Sequence, residues 1–141
     1  MDTALLLPAA VLVMWTLIML AWLAATRLPA ASKIGVDIAG SVGGRGADLD
    51  PQLPPKVAWK SHNYTHLVEQ PTLFYAVIVI LTLVGAATQV NLALAWAYVA
   101  LRIAHSLWQA LVNKVSVRFP LFLLGTLCLL ALSINAIRAL I

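Results

Sequence analysis

Two sets of polar residues recur at helical spacing inside stretches that are otherwise apolar. His62, His66 and Glu69 form one, and Tyr98, Arg102, His105, Gln109 and Asn113 form the other. Residues three, four or seven apart share one face of a helix, so each set makes a stripe. A charged side chain facing lipid is costly, which turns both stripes toward a bundle interior or a subunit interface. Glu69 lies nine residues inward from Lys60, and Arg102 twelve inward from Lys114. At 1.5 Å per residue both sit roughly 14 to 18 Å from one edge of the membrane, so the two are expected to meet.

Three kinds of chemistry suit these residues. The plainest is a structural ion pair between Glu69 and Arg102 that holds two helices together. A metal or haem site would use His62 and His66, one turn apart with Glu69 on the same face, but no further ligand cluster is evident and no metal is expected. The third is a pocket for a polar ligand. An ion pair alone does not require His62, His66, His105, Gln109 and Asn113 to carry the polarity out to the surface, and their presence favours the pocket.

The elements that must position these stripes follow from composition. The chain has 141 residues, 62% hydrophobic and 10% charged, where soluble domains have about 25% charged residues. Four segments reach the roughly 20 apolar residues that a bilayer demands of a helix. They are expected at about 4–26, 56–87, 92–113 and 119–138, giving one all-α integral membrane four-helix bundle over residues 1–141. Asp2 in place of a basic leader, with Arg27 directly after the first apolar run, argues for a retained span over a cleaved signal. A tight turn near 87–91 divides the uncharged stretch between Glu69 and Arg102, and Pro120 suits the first turn of the last helix. The glycine-rich run 40–46 has neither the strand before it nor the helix after it that a phosphate cradle needs, and reads as loop. Asn63-Tyr64-Thr65 is formally a glycosylation sequon. Cys128 is the single cysteine, so no intramolecular disulfide forms.

The placement of charge sets the orientation. Arg27, Lys33, Arg45, Lys56 and Lys60 flank or occupy the first connection, 28–55, Lys114 and Arg118 lie in the third, and the second has no basic residue. The positive-inside bias puts the first and third connections in the cytoplasm and both termini on the other side, in the inner membrane if the source is bacterial. Spread over loops without interleaved aromatics, these cations do not suggest nucleic-acid binding.

The residues also resemble a known family, the membrane-associated proteins in eicosanoid and glutathione metabolism (MAPEG), which includes microsomal glutathione transferases. The matching pieces are residues 62–71 with Leu73, Phe74 and Tyr75, then residues 100–106, and the basic junction 113–119. This resemblance implies a homotrimer with glutathione, the co-substrate, bound between subunits near the cytoplasmic face. It implies a transferase or peroxidase acting on lipophilic electrophiles drawn from the membrane; the alternative is a non-catalytic lipid-binding or accessory subunit of the same fold. Carried over by position, His62, His66, Glu69, Arg102, His105, Gln109 and Asn113 would bind or brace glutathione. Arg118 would be the catalytic residue that stabilises its thiolate. Where many members have Arg seven positions before the Glu and Asn three before it, this chain has His62 and His66.

Topology and assembly are checkable together. A cysteine placed at Ser41 should resist a membrane-impermeant maleimide in intact cells and react once the membrane is opened. Native mass spectrometry in detergent should show three chains. Efficient labelling of intact cells would reverse the orientation.

Overall fold

The computed structural model describes residues 3–141, so Asp2 lies outside the described residues. These form five α-helices, α1 Leu6–Lys33, α2 Pro55–Glu69, α3 Pro71–Leu83, α4 Gln89–Leu111 and α5 Val115–Leu140, with a short 3-10 helix Gly46–Gln52 before α2. They make four spans long and apolar enough to cross a membrane, Leu6–Lys33, Pro55–Leu83, Gln89–Leu111 and Val115–Leu140, and no strand occurs among the described residues. The protein is therefore an integral, multi-pass membrane protein. Its first and third connections lie at one end of the bundle, here the loop end, and the connection between α3 and α4 lies at the other.

The boundaries differ from the sequence expectation for local reasons. The first helix does not stop at Thr26. It continues through Pro29 to Lys33, because one lost backbone hydrogen bond is a local cost that packing against α2 and the side chain of Arg27 offset. Its 28 residues span about 42 Å, more than the roughly 30 Å of hydrocarbon, so its last turns stand beyond the apolar layer. Gly35 ends it with a left-handed φ of 78°, Val36 N–H bonding back to the carbonyl of Ala31.

The second span is interrupted at Gln70, since Pro71 has no N–H to give to the carbonyl of Leu67. Gln70 itself keeps helical dihedrals of −60° and −38°, so α3 carries on in the direction of α2. Gly85, with φ 70°, ends α3 after Leu83 and not at 87. Thr88 caps α4, its Oγ1 accepting from Asn91 N–H, so α4 starts at Gln89 and not at 92. The last helix begins at Val115, four residues earlier than expected, which puts Pro120 inside the helix and not in its first turn.

The helices pack according to their composition. Leu12, Met19, Leu67, Phe74, Ile78, Leu81, Val99 and Leu132 form the core, and Phe74 stacks on Tyr98 with ring centroids 4.3 Å apart. Large apolar side chains such as Leu17, Ile18, Leu123, Leu127 and Leu130 stay exposed on α1 and α5, as a lipid environment requires. Cys128 is half-buried between these two patterns. Asn63 of the sequon is buried inside α2.

Between the helices, polar side chains supply the ties. Gln70 donates to Thr126 Oγ1 on α5 at 2.9 Å and accepts from the hydroxyl of Tyr98 on α4 at 3.3 Å. Trp15 on α1 donates through Nε1 to Ser106 Oγ on α4 at 3.1 Å. At the far end, Asn135 donates to Asn91 Oδ1 at 2.7 Å. Replacing Gln70→Leu keeps the volume and removes two such bonds, so it should lower stability by about 1 kcal/mol. Thermal unfolding in detergent reads this, and an unchanged midpoint would mean that the Gln70 bridge contributes nothing.

Candidate functional site

At the loop end, the 3-10 helix, α2, α4 and the first turn of α5 surround a cavity of about 620 Å³. From α2 come Ser61, His62, Thr65, His66 and Glu69; from α4, Gln109; from α5, Arg118; and from the loop, Gly46, Ala47 and Asp50. Five residues singled out in the sequence, His62, His66, Glu69, Gln109 and Arg118, thus converge on one space. A smaller cavity of about 130 Å³ shares His66 and Arg118 with it and is otherwise walled by His105, Val115, Phe119 and Phe122. Val115 and Phe119, both apolar, are exposed on α5, so this second space opens at the surface beside apolar side chains.

Arg102 and Asn113 line neither cavity; each holds a residue that does. The guanidinium of Arg102, 1% exposed, donates from Nη2 to the carbonyl of His66 at 2.6 Å and meets His66 Nδ1 at 3.2 Å. Asn113 adopts a left-handed φ of 58° after the end of α4, where an asparagine is tolerated, and its Oδ1 accepts from Arg118 Nη1 at 2.5 Å. Its N–H closes onto the carbonyl of Trp108 at 2.7 Å. The α4–α5 connection is therefore shaped to present the Arg118 guanidinium to the cavity.

The expected ion pair between Glu69 and Arg102 does not form within the subunit. The depth estimate concerned height along the helix, whereas the angle around α2 decides contact. Asn63 and Leu67 define the buried face, His66 flanks it, and Glu69 points to the exposed side, as does His62. Arg102 reaches His66 in place of the carboxylate. Among the described residues Glu69 makes no ion pair, and its carboxylate is free to face a ligand in the cavity.

Buried polar atoms without partners gather around the same region. Arg102 Nε and Nη1, Gln109 Oε1 and Asn63 Oδ1 have no hydrogen-bond partner among the described residues. Such groups are expensive to bury, and those beside a binding site are the ones a ligand or a neighbouring subunit satisfies. The imidazoles of His66 and His105 stack at 4.8 Å, with Phe122 edge-on to His66 at 5.5 Å. Among the described residues no group of three or more His, Cys, Asp or Glu side chains is arranged to hold a metal ion.

Sequence reasoning missed Asp50, Ser61 and Thr65. Ser61, Thr65 and Glu69 lie at i, i+4 and i+8, a periodicity that could have found the first two. Asp50 had no such signal, because it acts across chain separations of 23 and 12 residues. It accepts from Arg27 Nη1 at 2.7 Å and from His62 Nε2 at 3.1 Å, and Arg27 also donates to the carbonyl of Gly46. This tie fastens the 3-10 helix over the cavity, against both α1 and α2.

The MAPEG family model matches residues 5–138 of the chain. No curated protein and no solved structure matches it.

The Arg27–Asp50 pair, with both side chains about seven-eighths buried, is the fastening that the covering segment depends on. Asp50→Asn should loosen residues 34–52, so that trypsin nicks the chain after the exposed Arg45 several-fold faster than in the parent. Equal nicking rates on a gel would show that the segment is held by something else.

Proposed function

Because this chain belongs to the MAPEG family, as the match over residues 5–138 establishes, we propose that it is a membrane-embedded glutathione-dependent transferase or peroxidase acting on lipophilic electrophiles. Family membership supports a glutathione-related role in general. The observation that carries the finer reading is the convergence of Arg118, Glu69, His62, His66 and Gln109 on one cavity beside a second that Val115, Phe119 and Phe122 help to wall.

The volume and the charges suit the tripeptide. About 620 Å³ lies within the usual range for small-molecule sites. Glutathione is a zwitterion with an α-ammonium, two carboxylates and a thiol. Glu69 offers an unpaired carboxylate to the ammonium, and Gln109 Oε1 is an unsatisfied acceptor beside it. Arg118 is the cation of the cavity wall that, among the described residues, makes no ion pair with a carboxylate.

Arg118 carries the chemistry in this reading. A thiol with an ordinary pKa of about 8.5 is mostly protonated at neutral pH, and the thiolate is the nucleophile. A guanidinium held by Asn113 at the start of α5, alongside the first unpaired amides of that helix, favours the anion. The lipophilic partner enters from the bilayer past Val115 and Phe119, where the two cavities adjoin at His66 and Arg118. Assembly as a homotrimer, with the loop end in the cytoplasm, would cover the exposed side of α2 that carries Glu69 and give the orphaned polar atoms partners.

Calorimetry with glutathione in detergent tests the binding step, and an absence of heat would favour the lipid-binding accessory role. Arg118→Ala tests the chemical step. Removing the cation raises the thiol's pKa, so turnover at pH 7 should fall by about 100-fold and the rate profile should move to higher pH, with glutathione affinity largely kept. Full turnover at neutral pH by this variant would reduce Arg118 to a membrane-interface anchor.

A further inference from the structure

One nitrogen of the His66 ring is already committed. Arg102 Nη2 stands 3.2 Å from His66 Nδ1 and 2.6 Å from the carbonyl of the same residue, so its two hydrogens have two acceptors on one residue. A guanidinium has donors only; Nδ1 must accept, and it bears no proton. The proton of the neutral ring is therefore on Nε2, which makes that atom a donor and not a base. The cation that imposes this is buried, and the ring it acts on is clamped between His105, 4.8 Å away, and the edge of Phe122, 5.5 Å away.

His66 also lies where it can use that proton. With Arg118 it forms the wall common to the larger cavity and to the smaller one that Val115, Phe119 and Phe122 complete. A sulfur held near Arg118 and an acceptor entering past Phe119 would meet beside it.

We infer that His66 Nε2–H is a hydrogen-bond donor to an oxygen of the lipophilic acceptor, so that the site selects electrophiles whose oxygen gains negative charge as sulfur attacks. Conjugated ketones and aldehydes with long apolar tails are that class; alkyl halides are not. The inference rests on the transfer reading above. The thiol proton leaves to water when the thiolate forms. The sulfur lone pair then makes the C–S bond at the β-carbon, the C=C electron pair shifts to join the carbonyl carbon to the α-carbon, and the C=O pair moves to oxygen. The resulting enolate oxygen is the atom that His66 holds. Water returns a proton to the α-carbon as the enolate collapses, and His66 keeps its own proton throughout. A benzyl chloride instead releases chloride from carbon with no oxygen to hold.

The experiment is the ratio of kcat/KM for a lipophilic conjugated enone to that for a lipophilic benzyl chloride, with the full-length protein in detergent or bilayers. His66→Phe keeps a flat ring against His105 and Phe122 but has no donor, and the ratio should fall by about 100-fold, the usual loss for one oxyanion donor. His66→Gln, whose amide can both accept from Arg102 and donate onward, should restore most of it. Nitrogen-15 spectra of the parent should show His66 as the neutral Nε2–H form. A ratio that His66→Phe leaves unchanged, both rates falling alike, or a proton found on Nδ1 would each overturn the assignment while leaving glutathione transfer standing. Failure of the parent to consume glutathione with either acceptor would overturn the transfer reading and this inference with it.

Discussion

A single buried cation organises the loop end of this bundle. Arg102 projects from α4 into the protein interior, where an isolated charge would cost several kcal/mol, and its Nη2 bonds to both the backbone and the ring of His66 on α2. That contact fixes the height of α2 against α4. It also sets the plane of the His66 ring, on which His105 and Phe122 then pack. One turn deeper, Gln70 repeats the arrangement with neutral partners on α4 and α5, at the place where Pro71 interrupts the span. The cavity exists because these ties hold the helices at fixed distances while Glu69, on the outward side of α2, makes no ion pair among the described residues.

Much of this was legible in the amino-acid sequence. Hydropathy located the four spans, and helical periodicity picked out His62, His66, Gln109 and Arg102 as members of stripes. Both readings depend on repeats along one chain segment, which a sequence displays directly. The resemblance to MAPEG, carried by residues 62–71 and 100–106, agrees with the match over 5–138.

What was not legible depends on geometry between segments. The rotation of α2 decides that Arg102 meets His66 and not Glu69, and a rise per residue carries no information on rotation. The run of α1 past Pro29 depends on partners in α2 and the loop, so the end of the apolar run at Thr26 was not the end of the helix. Asp50 links Arg27 and His62 through contacts that no periodicity announces. Such ties appear only once the loop is folded back on the helices.

The two cavities that share His66 and Arg118 differ in their other walls, one completed by the 3-10 helix and the outward side of α2, the other by Val115, Phe119 and Phe122 of α5 with His105. On the transfer reading proposed above, two reactants that each had a compartment would not need to take turns. Either could occupy its compartment while the other is empty, and both would be present when the bond forms, which corresponds to a random-order ternary complex. No residue has to carry a group from one to the other, and the lone thiol of the chain, Cys128, lines neither compartment. Double-reciprocal plots for such an arrangement intersect; the parallel lines of an enzyme-bound relay belong to a different architecture.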